Sequence, residues 1–223
     1  TLISTSSATA SIADLTNAGV NSGNTITGNV TVERYIPAKR SWRAITAPVS
    51  TTTSIYANWQ ENGTGNGTNG FDIWSNAGGT GIITGGSGSS LLEYNSSTNN
   101  WSGITNTTIS SSLLSGSVNK PFMAFVTGAY GTNNITNGAT ITTIRATGAL
   151  LTGNQTYSSL VDKYTFIGNP YASPINLASM ITDADNAAFG GNVWVWDANA
   201  SGLNVKLHYK SAGGGNYFTN ATN

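Results

Sequence analysis

The side chains that could act as acids, bases or nucleophiles are few and widely spaced along this chain. The only histidine is His208, which stands between two lysines in an alternating segment. A Ser-His-Asp triad needs a buried histidine beside a carboxylate, whereas this alternation predicts a histidine on the wet face of a strand. Glycoside cleavage needs a placed carboxylate pair, and no spacing selects one from Glu33, Glu61 and Glu93. We therefore expect no enzymatic activity.

Oxygen ligands for a metal ion are concentrated near the end of the chain. Asp183, Asp185 and Asn186 fall within one predicted turn, and Asp197 and Asn199 follow a predicted strand. Calcium prefers such ligands, but the glycine and bidentate glutamate of an EF-hand loop are absent. Asx-rich turns also form through side-chain-to-backbone hydrogen bonds alone. Asp183 and Asp185 are thus a weak candidate for structural calcium, and we expect no other cofactor.

Aromatic side chains are the remaining candidates for binding. Trp194 and Trp196 share one face of a predicted strand, because side chains alternate with period two. Such a pair could form a platform that stacks on sugar rings, since tryptophan combines a large apolar surface with a polar N–H group. The alternative is a structural pair buried in the core or under a loop. Solvent exposure of the two rings distinguishes these interpretations.

The composition limits the chemistry further. The 223 residues include 26 Ser, 32 Thr, 27 Asn and 27 Gly, whereas only 8% are charged and none is Cys. Without Cys there are no disulfides and no thiolate metal sites. The nine basic and nine acidic residues cancel, so nucleic acid and anionic membranes are poor partners. No apolar run approaches the ~18 residues of a membrane span, and we expect no membrane insertion.

Hydrophobic periodicity predicts many short strands separated by Gly- and Asn-rich turns. We therefore expect an all-β fold, an antiparallel β-sandwich of jelly-roll type with one or two short helices. Ile26, Val30, Val32 and Ile36 should share one strand face. Helices are predicted at 54–60, with Ser54 as N-cap and Ile55 stacked on Trp59, and at 175–186. The other predicted strands are 70–75, 81–84, 90–95, 100–105, 121–127, 140–147, 164–169, 192–197 and 203–210.

The first 25 residues are too sparse in apolar side chains for a core of their own, so we divide the chain into an arm, 1–25, and a single β-sandwich domain, 26–223. The arm is either a flexible leader or a segment that adds to a sheet edge through main-chain hydrogen bonds. Only five lysines protect the strand edges, so those edges are open to pairing. The apolar residues of the arm are Leu2, Ile3, Ile12, Leu15 and Val20.

Several segments resemble a known group of proteins. The motifs VERYIPAKRSWRAITAPV, SIYANWQENG, KPFMAFVTG, TIRATGALLTG and YTFIGNPYASPIN resemble a β-rich repeat region of large secreted and cell-surface proteins of Bacteroidetes, which are typically exported by the type IX secretion system. The resemblance covers roughly residues 26–200. It implies an extracellular or cell-surface location and an adhesin-like, β-rich structure, and it transfers no catalytic residues.

Two features of this resemblance bear on assembly and binding. The chain ends at GGGNYFTNATN, where the related regions continue into a further apolar strand, so we expect a processed chain or part of a longer protein. Within the motif ERYIPAKRSWR, four basic residues surround Tyr35 and Trp42. These could bind acidic glycans, but we favour a structural role in stacking and pairing. The four are Arg34, Lys39, Arg40 and Arg43.

Together these observations predict a non-catalytic extracellular structural protein. We expect a subunit of a self-assembling filament, fibre or surface layer, in which the arm of one copy completes the sheet of the next. The partners are then copies of the same chain. The alternative is a carbohydrate-binding or adhesion module that holds an extracellular polysaccharide through Trp194 and Trp196.

Overall fold

The computed structural model describes residues 1–17, 20–21, 23–65, 67–110, 113–115, 118–132, 135–136, 138–183, 192–198, 206–211 and 219–220. Its helices are α1 (Ile55–Trp59) and α2 (Leu177–Thr182), and Glu61–Gly63 forms a 3₁₀ turn. Its strands are β1 (Thr16–Asn17), β2 (Val20–Asn21), β3 (Asn29–Ile36), β4 (Ser41–Ile45), β5 (Val49–Ser50), β6 (Trp74–Ser75), β7 (Ile83–Thr84), β8 (Leu91–Asn95), β9 (Asn100–Gly103), β10 (Leu114–Ser115), β11 (Val118–Asn119), β12 (Phe122–Val126), β13 (Thr142–Leu150), β14 (Asn192–Asp197), β15 (Lys206–Ser211) and β16 (Thr219–Asn220).

Two antiparallel sheets contribute to one hydrophobic core. The first has the strand order β4-β12-β8-β9 and the second the order β3-β13-β5. Side chains from the two sheets belong to a single buried cluster, with helix α1 beside them. The all-β prediction is confirmed, with antiparallel sheets in a sandwich-like arrangement, and the jelly-roll topology stays a prediction. Core residues of the first sheet are Leu91, Phe122, Ala124 and Val126, and those of the second are Val32, Ile36, Val49, Ile144 and Ala146.

Strand β3 shows how the sequence alternation becomes a half-buried strand. Val32 and Ile36 are buried, and Val30 packs against the core from a half-buried position. The strand pairs along its whole length with β13, from Ile36 opposite Thr142 to Asn29 opposite Ala149. Ile26, predicted on the same face, is instead exposed. The reason is Gly28, whose φ of 88° interrupts the extended backbone before the strand begins.

The two predicted helices exist, and one is shorter than expected. In α1, the Ser54 side chain caps the helix by accepting a hydrogen bond from the Ala57 backbone N–H, and both Ile55 and Trp59 are buried. The cap and the i,i+4 pair are therefore confirmed. Helix α2 begins after Asn176, whose side chain accepts from the Ser179 N–H, and it ends before Asp183. The rest of the predicted segment, 184–186, lies outside the described residues.

Three strand predictions are wrong in extent or orientation. Residues 164–169 form no strand; the ring of Phe166 packs against Trp101, and the chain turns at Asn169. The turn is closed there, because Asn169 donates to the Ser173 carbonyl and accepts from the Tyr171 N–H. In the segment 70–75 only Trp74–Ser75 is a strand, and in 81–84 only Ile83–Thr84. These two strands pair in parallel, an exception to the antiparallel expectation.

The described part of the C-terminal region is a small sheet of order β14-β15-β16. In its register His208 lies opposite Val195, and Trp194 lies opposite Tyr209. The predicted strand 192–197 is confirmed, and the strand predicted at 203–210 is described from Lys206 onward. Neither of the helices in the described ranges is long and apolar enough to cross a membrane.

Candidate functional site

The N-terminal arm lies against the free edge of β3, which is an outer strand of its sheet. Leu2 pairs in parallel with Val32. The Leu2 N–H donates to the Thr31 carbonyl over 2.8 Å, and the Glu33 N–H donates to the Leu2 carbonyl over 2.9 Å. Main-chain bonds of this kind depend little on side-chain identity. The first residues of the arm thus add to a sheet edge of their own chain, and pairing with the sheet of a neighbouring copy stays a prediction.

Ser4 anchors the arm through its side chain. This residue is only 5% exposed, and its Oγ accepts a hydrogen bond of 2.8 Å from the Tyr35 backbone N–H. The Ser4 N–H donates to Glu33 Oε2 over 3.3 Å, and the Ser4 and Thr9 hydroxyls share a hydrogen bond of 2.7 Å. The Ser4 hydroxyl therefore takes the place of a main-chain carbonyl as the acceptor for the Tyr35 N–H, and the pairing along the edge of β3 continues by one more hydrogen bond.

Between Ser4 and Thr9 the arm folds back on itself. The two residues form an isolated antiparallel bridge. The Thr5 N–H donates to the Ala8 carbonyl, and the Ala10 N–H donates to the Ile3 carbonyl. This small hairpin satisfies backbone groups that an exposed single strand would leave to water.

The second docking point of the arm is the motif NPYASP. The Ile12 N–H donates to the Ala172 carbonyl over 2.9 Å, and Ala172 is itself a buried core residue. Asn169 holds that turn in shape through its two side-chain hydrogen bonds. A cleft of about 360 Å³ runs between Ile12 to Leu15 on one side and Leu150, Tyr171 and Pro174 on the other. The sequence did not indicate that this motif receives the arm.

The predicted arm residues contribute unequally. Leu2 and Ile12 are half-buried and pack against the core, and Leu15 is half-buried beside the cleft. Ile3 is 57% exposed, so its side chain does not anchor the arm. Val20 belongs to the two-residue strand β2, which pairs with β1.

The tryptophans nominated as a glycan platform have different environments. Trp194 is 46% exposed. Trp196 is half-buried, and its indole N–H donates to the Trp42 carbonyl over 3.0 Å. That bond ties β14 to the edge strand β4. Of the two rings, Trp194 has the exposure that a binding platform needs, and Trp196 has a structural contact.

The acidic residues nominated for catalysis lie in ion pairs or at the arm. Arg145 donates to both carboxylate oxygens of Glu61, from Nε over 3.1 Å and from Nη2 over 2.5 Å. Hydrogen bonding to Glu61 is the main cause that raises the pKa of Arg145, and the nearby charge of Glu33 adds to it. Glu93 pairs with Lys120 over 3.1 Å. Each of the three glutamates therefore has a structural contact. Glu61 pairs with Arg145, Glu93 pairs with Lys120, and Glu33 accepts a hydrogen bond from the Ser4 N–H.

The calcium candidates are only partly described. Asp183 is an exposed residue at the C-terminal cap of α2, and Asp185 lies outside the described residues. Within the described ranges, no group of three or more His, Cys, Asp or Glu side chains comes together. The described geometry therefore adds no ligand to the pair that the sequence nominated.

The basic residues of ERYIPAKRSWR have structural contacts. Arg34 Nη1 donates to the Glu33 carbonyl, and Arg40 lies over the Phe125 ring at 5.5 Å while it donates to the Ile135 carbonyl. Arg43 is 8% exposed, and burial lowers its pKa. Its Nε and Nη2 atoms have no hydrogen-bond acceptor among the described residues. The arginines thus face neighbouring structure and do not form an open basic patch.

Comparisons with known proteins add no relative. No protein-family model matches this chain, and neither the curated proteins nor the solved structures contain a match. The arm and its receptor on β3 and Ala172 are therefore characterised by their own geometry.

Proposed function

We propose that this chain is a non-catalytic extracellular structural protein that assembles into filaments or a surface layer by exchanging its N-terminal arm between copies. The observation that carries the proposal is the pairing of Leu2 with the open edge of β3. An arm bound mainly through backbone groups fits the same edge of an identical neighbour. Domain swapping of this kind is a low-cost route to association, and head-to-tail contacts that do not close make filaments.

The hydrophobic core is built from residues outside the arm, so the arm can detach while the body stays folded. The twelve largest fully buried side chains in the described part of the chain all lie between Val32 and Val126. Of the arm residues whose side chains are described up to Leu15, only Ser4 is buried. The apolar side chains of the arm are at most half-buried, so release of the arm exposes less apolar surface than removal of a core strand would.

The connection between the arm and the body is long enough for exchange. Sixteen residues, 13–28, separate Ile12 from the start of β3. Fully extended, they span about 50 Å, whereas a globular body of about 200 residues is about 40 Å across. Once the short β1-β2 hairpin opens, the arm can reach the β3 edge of a neighbouring copy.

The surface chemistry is compatible with close packing of identical copies. Net charge is zero and only 8% of residues are charged, so like copies repel one another weakly. The extracellular location and export by type IX secretion rest on the resemblance of motifs such as FIGNPYASPI to surface proteins of Bacteroidetes. Both belong to this proposal.

A disulfide trap tests the exchange, because the chain contains no Cys and every disulfide is then a designed one. In the parallel register that places Leu2 beside Val32, position 3 lies beside position 33. The double variant Ile3→Cys/Glu33→Cys should close within one chain when the arm binds its own body. It should join chain to chain when the arm is exchanged. Oxidation of assembled material should therefore give a ladder of multimers on a non-reducing gel.

The single variant Ile3→Cys is the matched control, since one cysteine per chain can produce dimers at most. Electron microscopy of the same samples shows whether filaments are present. If assembled material yields only internally cross-linked monomer, the arm stays on its own body and the proposed exchange is wrong.

A further inference from the structure

The hairpin β8–β9 carries an exposed aromatic cluster that the assembly proposal does not use. Tyr94 and Trp101 are direct cross-strand partners, with ring centroids 5.0 Å apart. The ring of Phe166 packs edge-on against Trp101 at 5.1 Å and 73°. Trp101 remains 42% exposed and lies on an outer strand of its sheet.

The hairpin fixes the position of these rings. Asn95 Oδ1 accepts hydrogen bonds from both the backbone N–H and the hydroxyl of Ser97, which closes the turn. The Tyr94 hydroxyl donates to Asn99 Oδ1 over 3.1 Å, and Asn99 itself has a positive φ of 53°. Trp101 thus packs against two rings, which restricts its orientation. Such preorganisation lowers the entropic cost of binding a ligand.

The hairpin itself is polar but nearly free of charge. Between Leu91 and Gly103 the only ionisable group besides the Tyr94 phenol is Glu93, and its carboxylate is paired with Lys120. The remaining polar side chains of the hairpin are hydroxyls and amides. A cleft of about 580 Å³ beside the hairpin is lined by Tyr94 and Glu93 and does not include Trp101. Among its lining residues are Asn95, Ser97, Ser102 and Ser158.

We infer that this cluster is a binding site for a neutral polysaccharide, with Trp101 as the stacking platform. The C–H face of a sugar ring fits the electron-rich face of an indole, and hydroxyl and amide groups beside it match sugar hydroxyls. An acidic polysaccharide would need a cation here, and Lys120, which contacts the hairpin, is already paired with Glu93. A strand from a second copy is less well matched, because β9 offers only four residues of edge.

Affinity electrophoresis in native gels tests the site. The probes are barley β-glucan, galactomannan and arabinoxylan as neutral polysaccharides, with alginate as the acidic one. We expect the wild-type chain to be retarded by at least one neutral polymer and not by alginate. Trp101→Ala should weaken that binding about ten-fold or more, which is about 1.4 kcal/mol. Trp101→Phe should retain most of it, because a ring is still present.

Trp194→Ala is the matched control, since Trp194 is a tryptophan of similar exposure on another sheet. Circular dichroism establishes that each variant is folded. Retardation by none of the neutral polymers overturns the inference. It is also overturned if Trp194→Ala abolishes binding while Trp101→Ala does not. If Trp101→Ala instead changes the sedimentation of the chain and leaves polysaccharide binding intact, the cluster is a contact between copies. These outcomes are independent of the fate of the N-terminal arm.

Discussion

The hydroxyl of Ser4 offers the sharpest test of how the arm is held. Substitution Ser4→Ala removes the acceptor for the Tyr35 N–H and the partner of the Thr9 hydroxyl. A buried donor left without an acceptor costs about 1–3 kcal/mol. Because β3 is an outer strand, water can reach part of the exposed edge, and we expect a cost in the lower half of that range, about 1–2 kcal/mol.

Local opening of the arm converts this cost into a measurable rate. The Glu33 N–H donates to the Leu2 carbonyl, so its hydrogen exchange requires the arm to leave the edge. A destabilisation of about 1–2 kcal/mol raises the population of the open state roughly 5–30-fold. Amide exchange of Glu33, followed by nuclear magnetic resonance, should accelerate by that factor in Ser4→Ala.

The matched control is Ser6→Ala, because Ser6 is an exposed serine of the same arm. Its substitution should leave the exchange of Glu33 unchanged. Equal exchange in the two variants would refute the role of the Ser4 hydroxyl as an anchor. If the wild-type Glu33 amide exchanges as fast as an unprotected amide, the arm itself does not occupy the edge of β3.

Three further predictions concern the body of the protein. Arg43→Met should raise the free energy of unfolding by about 1–4 kcal/mol, because it removes a buried guanidinium with unpaired nitrogens; a lower urea midpoint would contradict this. Glu61→Gln should cost about 1 kcal/mol, since Arg145 loses its partly exposed ion pair, and the difference from wild type should shrink in high salt. Stability should fall in alkali, because burial raises several tyrosine pKa values above 10.0. Because the folded state holds the phenol proton more tightly than the unfolded chain does, each such tyrosine contributes stability that is fully present below pH 10.0 and is lost as the pH rises through the folded pKa. A melting temperature that does not fall as the pH rises above 10.0 would contradict this prediction. The tyrosines concerned are Tyr94, Tyr130, Tyr157 and Tyr171.

Local sequence patterns predicted the individual elements well where the apolar period was regular. The alternation of Val30, Val32 and Ile36 gave the buried face of β3, and the Ser54 cap with Ile55 and Trp59 gave helix α1. The prediction failed at 164–169, where the ring of Phe166 packs against Trp101 of β9 and the backbone forms no ladder. A periodic pattern reports which side chains can be buried, and it does not report whether a strand partner is free.

The candidate sites were less accessible to sequence reasoning. The arm residues were nominated together, yet the chain buries Ser4 and leaves Ile3 exposed. Hydrophobicity predicts that Ile3 is buried and Ser4 exposed. The structure shows the opposite, because the arm is anchored by a hydrogen bond from the Tyr35 N–H to Ser4 and not by an apolar contact. Trp101 lies in the predicted strand 100–105 and was not selected for the binding platform; the one signal that distinguishes it is a tryptophan in a short, otherwise polar segment.

What the sequence by itself determined is the chemistry that this chain has available. Its single histidine, its lack of cysteine and its balanced, sparse charge follow from composition, and its short strands and helix cap follow from contacts a few residues apart. Only the tertiary structure decided which edge receives the arm, which exposed tryptophan packs against two other rings, and which arginine is buried. These outcomes depend on contacts across long sequence separations, such as Arg145 with Glu61, 84 residues apart. Such pairings arise when whole sheets pack together, and no local period encodes them.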